Sequence, residues 1–287
     1  MNNIILLATY WNESEWIKAS LEQIIKIDPI EIIICDGNFD SRVPNYSTDG
    51  TREIIQEFVD NNKGRARMID AVRVNKWTKG FQFFLSAGLL GKMPPFSRLN
   101  YSLRSQMIIN EYRVNQALTF AKMMNLSKQW SEGKWVMSYD ADQFYSDDLI
   151  DHFQITNEDS KYDLITADEL TFPESFKHYT MLYEKRKWNN MPHKITDRIA
   201  VYPTRHFVNE KAFSFSHIHE TARTYHAGVY HHYKFREDST RLKASYKLGD
   251  RKPPDPNRFL GLKEFNGNHP KVIQEMRLKK YDRPDKD

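Results

Sequence analysis

The chain has 287 residues, of which 40% are hydrophobic and 13% aromatic, which is enough for the core of one large domain. Its net charge of +4 is compatible with an anionic substrate such as a nucleotide, with a membrane surface or with nucleic acid, and selects none of them. The mean hydropathy is −0.71 and no apolar run approaches the ~20 residues of a membrane span, so we expect no transmembrane segment.

The N-terminal residues lack the basic start of a signal peptide, which predicts a cytoplasmic protein, with peripheral membrane association as an alternative. The chain contains one cysteine, Cys35, and this excludes a disulfide framework or a cysteine-based zinc cluster. Because Cys35 closes the apolar run of residues 32–35, we predict a buried structural thiol.

The first sixty residues alternate between predicted strands and predicted helices, which is typical of an α/β fold with a parallel sheet. Asn12 and Ser14 are candidate N-caps for the first helix, and Asp28-Pro29 ends it. The elements are, in order, a strand at 4–9, a helix with apolar positions from 16 to 25, a strand at 31–35, and a helix through 54–58.

The rest of the chain is less regular, although several elements have clear apolar patterns. Residues 68–100 are predicted to be a loop-rich insertion, and the part beyond about residue 205 an irregular region rich in histidine and aromatic residues. The later predicted elements are a helix at 105–124, strands at 135–139, 163–167 and 199–202, and a helix around 271–280. The predicted division is 1–145, 146–250 and 251–287, the first two being halves of one domain and the third a linker and helical tail.

Polar residues stand at the ends of three predicted strands. Thr9, Asp36 and Asp140 each follow an apolar run, and open parallel sheets bind ligands outside the carboxyl ends of their strands. Asp140 and Asp142 are separated by a single alanine, and two such carboxylates can hold a hard divalent cation that in turn holds a diphosphate. An isolated Asp-x-Asp is also typical of a solvated turn, so its interpretation depends on the rest of the chain.

Four sequence elements accompany one another in a fixed order. They are Thr9-Tyr10-Trp11-Asn12-Glu13, Asp36-Gly37 followed by Ser47-Thr48-Asp49-Gly50-Thr51, Arg113-Val114-Asn115, and Asp140-Ala141-Asp142. This ensemble resembles glycosyltransferase family 2, whose members have the GT-A fold and transfer sugars from nucleotide-diphospho-sugars; the match covers roughly residues 4–145. Two features depart from the family pattern. Residues 38–46 separate Asp36-Gly37 from the Ser47–Thr51 motif, and the segment 74–110 is long.

The resemblance implies a donor site and a metal. Asp142 would bind Mn²⁺ or Mg²⁺, Asp140 would contact the ribose or the metal, and Asp36 would accept a hydrogen bond from the nucleobase. The resemblance also assigns Thr9, Tyr10, Glu13 and Arg113 to donor binding, Thr9 through its backbone and Arg113 to the base or the diphosphate.

The second half of the chain would supply a general base and a third metal ligand. Glu220, in the segment 215–220, is the predicted catalytic base, and Asp238 in the pair Glu237-Asp238 is the alternative. His232 is a candidate metal ligand, because a C-terminal histidine has that role in some GT-A enzymes and imidazole suits Mn²⁺; the alternative is a histidine that packs and bonds locally.

The resulting hypothesis is a metal-dependent, inverting glycosyltransferase. Its donor would be a nucleotide-diphospho-sugar, with a UDP-sugar favoured, and its acceptor a hydroxyl group of a saccharide or a lipid-linked molecule. Two alternatives stay open. One is the same fold acting on nucleic acid, for example on a hydroxymethylated base in DNA, which would have to be extruded from the duplex. The other is a non-catalytic module that binds nucleotide-sugars.

Overall fold

A computed structural model describes residues 1–40, 43–73, 111–157, 161–173, 175–180, 191–195, 223–234 and 262–281. The strands are β1 (Asn2–Tyr10), β2 (Pro29–Asp36), β3 (Ala66–Asp70), β4 (Trp135–Asp140), β5 (Gln143–Tyr145), β6 (Leu164–Phe172), β7 (His178–Tyr179), β8 (His193–Lys194), β9 (Thr224–Tyr233) and β10 (Lys263–Glu264). The α-helices are α1 (Ile17–Ile27), α2 (Thr51–Asn61), α3 (Glu111–Leu126), α4 (Asp147–Asp151) and α5 (Lys271–Tyr281), and a 3₁₀ helix covers His152–Asn157. No helix within these ranges is long and apolar enough to cross a membrane.

The protein is a mixed α/β structure built on one eight-stranded sheet. Its strand order is β3-β2-β1-β4-β8-β6-β9-β5, and a separate two-stranded sheet pairs β7 with β10. The first four strands are all parallel. Their apolar runs are buried on both faces, as parallel strands covered by helices must be. The predicted α/β class is therefore confirmed.

The parallel strands end in register. Tyr10 pairs with Asp36, Asp36 with Asp70, and Thr9 with Asp140. Because the pairing fixes these positions, four polar strand ends from separate parts of the sequence form one line along the carboxyl edge of the sheet. This edge is where open α/β sheets bind their ligands.

In the other half of the sheet, strand β9 corrects the prediction of an irregular C-terminal part at residues 224–233. β9 is a ten-residue strand that pairs parallel with β6 and antiparallel with β5. Its period-two pattern is hidden in the sequence by a bulge: Thr166 pairs with His226 but Asp168 with Val229. Gly228 lies in this bulge with φ +121°. One extra residue reverses which side chains face each side of the sheet.

Helix α1 begins differently from the prediction. Its N-cap is Trp16, with no side-chain cap, so Asn12 and Ser14 do not cap it. Asn12 has φ +52°, and its side-chain oxygen accepts a hydrogen bond from the backbone N–H of Thr48 instead. The predicted end is confirmed, because Asp28 takes the left-handed conformation and β2 begins at Pro29. The predicted strand at 199–202 and the start of the 105–124 helix lie outside the described residues.

Two buried clusters cover the two faces of the sheet. Alternate β1 residues divide between them: Ile4 and Leu6 pack with α1, α2 and α5, whereas Ile5 and Leu7 pack with α3. Cys35 belongs to the α3 side and is buried and unpaired with any other cysteine. The predicted burial of Cys35 is confirmed, and this burial raises the pKa of the thiol.

A buried His–Tyr–His chain attaches the segment before α5 to the sheet. Nε2 of His269 lies 3.0 Å from the carbonyl oxygen of Phe176, so this nitrogen carries the proton and Nδ1 accepts. Tyr233 therefore donates its hydroxyl proton to Nδ1 of His269, and the same oxygen accepts from Nδ1 of His231. Burial lowers the pKa of His231 to about 3 and that of His269 to about 4, so both are neutral at pH 7.

Candidate functional site

Three of the donor-side residues predicted from the sequence, Thr9, Asp36 and Asp140, lie at the carboxyl edge of the parallel strands. Asp36 is fully buried there. Its carboxylate accepts hydrogen bonds from the backbone and hydroxyl of Ser47, the latter at 2.6 Å, and from Nη1 of Arg52 at 2.7 Å. The same Nη1 lies 2.8 Å from Oδ1 of Asp70. Because Asp36 is fully buried, a nucleobase could reach its carboxylate only if one of these partners moved aside.

The Ser47–Thr51 motif joins the loop after β1 to the start of α2. The backbone N–H groups of three consecutive loop residues donate to side chains of the motif, and the amide oxygen of the first of these residues accepts in return. The bonds are Asn12 N to Ser47 Oγ, Glu13 N to Thr51 Oγ1, Ser14 N to Asp49 Oδ2, and Thr48 N to Asn12 Oδ1, all at 2.8 to 3.0 Å. These bonds explain why Asn12 does not cap α1. Two of the predicted motifs therefore form one rigid unit above β1 and β2.

Two residues predicted to bind the donor belong to the interior. The Tyr10 side chain is 1% exposed, and its hydroxyl lies 2.8 Å from the hydroxyl of Ser20 in α1. Glu13 is 2% exposed, and its carbonyl accepts from the first turn around α1. The side chain of Tyr10 faces the core and its carbonyl accepts from the N–H of Gly37 at 2.8 Å, so donor binding by Tyr10 stays a prediction.

The second group of site residues lies where β5 and β9 meet. The backbone of Tyr233 donates to the carbonyl of Asp142 at 2.8 Å, and Gln143 pairs with His232. This pairing brings Nε2 of His232 to 3.5 Å from Oδ1 of Asp142. Both side chains are about five-sixths buried, with 15% and 17% exposed. The structure thus brings together two residues that the sequence proposed separately as metal ligands.

Glu169 holds His232 from the opposite side. Its carboxylate accepts from Nδ1 of His232 at 2.8 Å, from the hydroxyl of Thr171 at 2.7 Å and from that of Tyr230 at 2.9 Å. Because the Nδ1–H group donates its hydrogen bond to Glu169, Nε2 is the nitrogen that faces Asp142. A carboxylate behind a histidine is the usual device that orients an imidazole metal ligand.

Sequence reasoning missed Glu169. The signal was an acidic residue inside the mostly apolar segment Leu164–Phe172, where it is 5% exposed. A buried carboxylate needs several donors to be retained. Those donors sit on β9 and on β6 itself, and the partners on β9 could not be identified before that strand was recognised.

The carboxylate of Asp142 lies close enough to His232 to stabilise a positive charge on the imidazole. If the imidazole were neutral, the lone pair of Nε2 would face a carboxylate oxygen at 3.5 Å. Burial opposes a charge on the ring, but Asp142 and Glu169 outweigh it and raise the pKa of His232 to about 9. In the metal-free protein a proton therefore fills the position in which a cation bound by Nε2 and Asp142 would lie.

This pair would be an incomplete metal site by itself. Within the described ranges, no group of three or more His, Cys, Asp or Glu side chains could hold a metal ion. Metal bonds of about 2.1 Å to oxygen or nitrogen allow Asp142 and His232 to share one ion at their separation. Other ligands would come from solvent, a bound molecule or other parts of the chain.

The remaining predicted residues are distributed as follows. Asp140 ends β4 and accepts from Nε2 of Gln143 at 3.3 Å. Thr9 lies beside it in β1. Arg113 belongs to helix α3, although its side chain lies outside the described part. Both candidate bases, Glu220 and Asp238, also lie outside the described residues.

No protein-family model matches this chain, and no curated protein sequence matches it.

Proposed function

We propose that the protein is a metal-dependent glycosyltransferase that uses a nucleotide-diphospho-sugar as donor. The observation that carries this proposal is the Asp142–His232 pair with Glu169 behind it, at the end of the sheet edge marked by Asp140. The pair has the donor set and the orientation of half a divalent-cation site. An ion held by only two protein side chains leaves coordination positions for the oxygens of a diphosphate.

The arrangement of the sheet edge supports a GT-A type of architecture. Thr9, Asp36, Asp70 and Asp140 lie at the carboxyl ends of four parallel strands, and Asp142 lies in the turn between β4 and the short β5. Such an edge offers polar groups to a nucleotide at one end and a cation to its phosphates at the other. The order of the motifs along the chain is the order that the family resemblance implies.

Each of the site residues would have a separate role in the transfer. Asp142 and Nε2 of His232 would hold Mn²⁺ or Mg²⁺, and Glu169 would fix the ring that presents Nε2. The ion, when bound, would neutralise charge that develops on the diphosphate leaving group. Asp140 would contact the ribose or the ion.

The transfer itself needs a base for the acceptor. The acceptor oxygen forms a bond to the anomeric carbon while the bond from that carbon to the diphosphate oxygen breaks. The hydroxyl proton passes to a carboxylate, for which Glu220 is the first candidate and Asp238 the second. A saccharide or lipid-linked hydroxyl is the proposed acceptor.

The test measures nucleoside diphosphate release from a panel of nucleotide-sugars with Mn²⁺ and candidate acceptors. We expect release that chelation stops, and that Asp142→Asn abolishes while the far-ultraviolet spectrum stays unchanged. Asp148→Asn is the matched control, because Asp148 is an exposed residue of the neighbouring helix α4. Full activity in Asp142→Asn would refute the metal assignment.

The same panel separates the alternatives. Nucleotide-sugar binding without turnover over many acceptors would favour a non-catalytic module. DNA binding with a steep salt dependence, together with transfer to hydroxymethylated bases, would favour a nucleic-acid acceptor. If no nucleoside diphosphate binds in the presence of Mn²⁺ or Mg²⁺, the proposed function is wrong.

A further inference from the structure

We propose that the cleft beside Arg52 and Asp70 is a nucleobase-binding subsite, in which this pair reads the hydrogen-bonding edge of the base. The inference rests on the proposed function and deepens it by assigning the specificity of the donor site. It differs from the role that resemblance implies for Asp36, which would otherwise contact the base directly.

The cleft lies between the end of β3 and the start of α2. It has a volume of about 520 Å³, and its lining includes Tyr46, Thr48, Arg52 and Asp70. Pockets for small molecules and cofactors commonly enclose about 300–1,000 Å³, so a nucleoside fits. Tyr46 is 55% exposed and offers an aromatic surface, which is the usual partner for a planar base.

Arg52 and Asp70 offer a ligand both hydrogen-bond donors and a hydrogen-bond acceptor. Arg52 uses only Nη1 for Asp36 and Asp70, and its Nε and Nη2 have no acceptor among the described residues. Asp70 gives Oδ1 to Arg52, and its side chain is 58% exposed. The cleft therefore presents N–H donors beside a carboxylate acceptor. A nucleobase edge carries the complement, an acceptor next to an N–H donor.

Asp36 has a different role in this arrangement. It is fully buried beneath Arg52 and accepts from that residue and from Ser47. It is thus a positioning residue, because it holds the guanidinium and the Ser47–Thr51 motif in place without reaching the cleft.

The position of the cleft matches the rest of the proposed site. Asp70 and Asp140 stand at the ends of β3 and β4, with β2 and β1 between them. Three strand spacings of about 4.8 Å separate them by ~14 Å. A nucleoside diphosphate in an extended conformation spans a distance of this kind. With its base at Asp70, its phosphates would lie towards the Asp140–Asp142 end.

Calorimetric binding of UDP, GDP, ADP and CDP in excess Mn²⁺ tests the inference, with inorganic diphosphate as a probe of the phosphate end alone. Asp70→Asn keeps an oxygen for Arg52 but turns the other acceptor into a donor. We expect the preferred nucleoside diphosphate to bind about tenfold more weakly. The differences in affinity among the four nucleoside diphosphates should also decrease. Tyr46→Ala should weaken all four, and neither variant should weaken inorganic diphosphate binding.

The control is Asp60→Asn, which makes the same charge change at an exposed position of α2 whose side chain, among the described residues, is bonded only to Gln56. If nucleoside diphosphates bind but Asp70→Asn leaves both affinity and base preference unchanged, this inference is wrong and the proposed function stands. An equal loss for inorganic diphosphate would also overturn it. If neither inorganic diphosphate nor any nucleotide binds with Mn²⁺, the proposed function and this inference fail together.

Discussion

Glu169 accepts a hydrogen bond from Nδ1 of His232 at 2.8 Å, although the two residues are 63 positions apart in the sequence. Parallel pairing of β6 with β9 places Thr171 opposite His232, and Thr171 donates to the same carboxylate. The ring of His232 is therefore fixed by two strands before any ligand arrives, and a preorganised ligand loses little entropy on binding.

The first prediction concerns this contact. Glu169→Ala removes the acceptor that orients His232, so Mn²⁺ affinity should fall about 10- to 100-fold, with a smaller loss for Glu169→Gln, which keeps one acceptor oxygen. Electron paramagnetic resonance of free Mn²⁺ measures the affinity without any assay of activity. Asp168→Asn is the control, because Asp168 is the next residue in β6 and lies near His226 instead. Wild-type affinity in Glu169→Ala would contradict the orienting role.

The second prediction concerns pH. The folded, metal-free protein holds the His232 proton up to a pKa of about 9, above the ordinary value near 6.5. The stabilisation it provides is fully present below about pH 6.5 and is lost as the pH rises towards 9. The melting temperature of the chelated protein should therefore fall across this interval.

His232→Gln supplies the comparison for the pH measurement, since its side chain does not titrate and its pH dependence should be flatter. Saturating Mn²⁺ should also remove most of the wild-type decline, because the ion replaces the proton between Asp142 and His232. Parallel curves for wild type and variant would show that His232 does not carry the effect.

The third prediction tests the unit formed by the loop after β1 and the Ser47–Thr51 motif. Ser47→Ala removes an acceptor for the N–H of Asn12 and a donor to buried Asp36. We expect a loss of about 1–3 kcal/mol in the free energy of unfolding, measured by urea denaturation. Thr48→Ala should change stability by less than about 0.5 kcal/mol, because Thr48 is exposed and uses its backbone N–H for Asn12.

The fourth prediction concerns the attachment of α5. Tyr233→Phe leaves Nδ1 of His269 without its donor and Nδ1 of His231 without its acceptor. Both rings are largely buried, so we expect a loss of about 1–3 kcal/mol in unfolding free energy. Tyr179→Phe is the control, because its hydroxyl has no partner among the described residues while its ring, like that of Tyr233, packs against Phe172. A negligible effect of Tyr233→Phe would mean that the hydroxyl is dispensable.

Three of the four parallel strands, β1, β2 and β4, could be predicted from the sequence because their signals are local, whereas β3 runs into the segment predicted to be a loop-rich insertion. Continuous apolar runs such as Glu31–Cys35, the Asp28-Pro29 break and the polar strand ends each depend on neighbours in the chain. The same locality identified Asp36, Asp140 and Asp142 as residues of the carboxyl edge. Because the carboxyl ends of parallel strands meet at one edge of a sheet, residues that follow the apolar runs are expected there.

What escaped prediction depends on contacts between distant segments. The bulge at Gly228 broke the alternation of β9, so the strand and its pairing with β6 were not foreseen. Without β9, neither the carboxylate of Glu169 nor its bond to His232 could be inferred. Arg52 resembled an ordinary charge on the surface of α2, because nothing in the sequence indicates that Asp36 lies beneath it.

The strand register around β9 also determines when the metal pair can form. His232 faces Asp142 only because Gln143 pairs with His232, and a slip by one residue would bring His231 or Tyr233 to that place. The pair therefore exists only where β9 is docked against β5 in its native register, and Mn²⁺ affinity would report that docking.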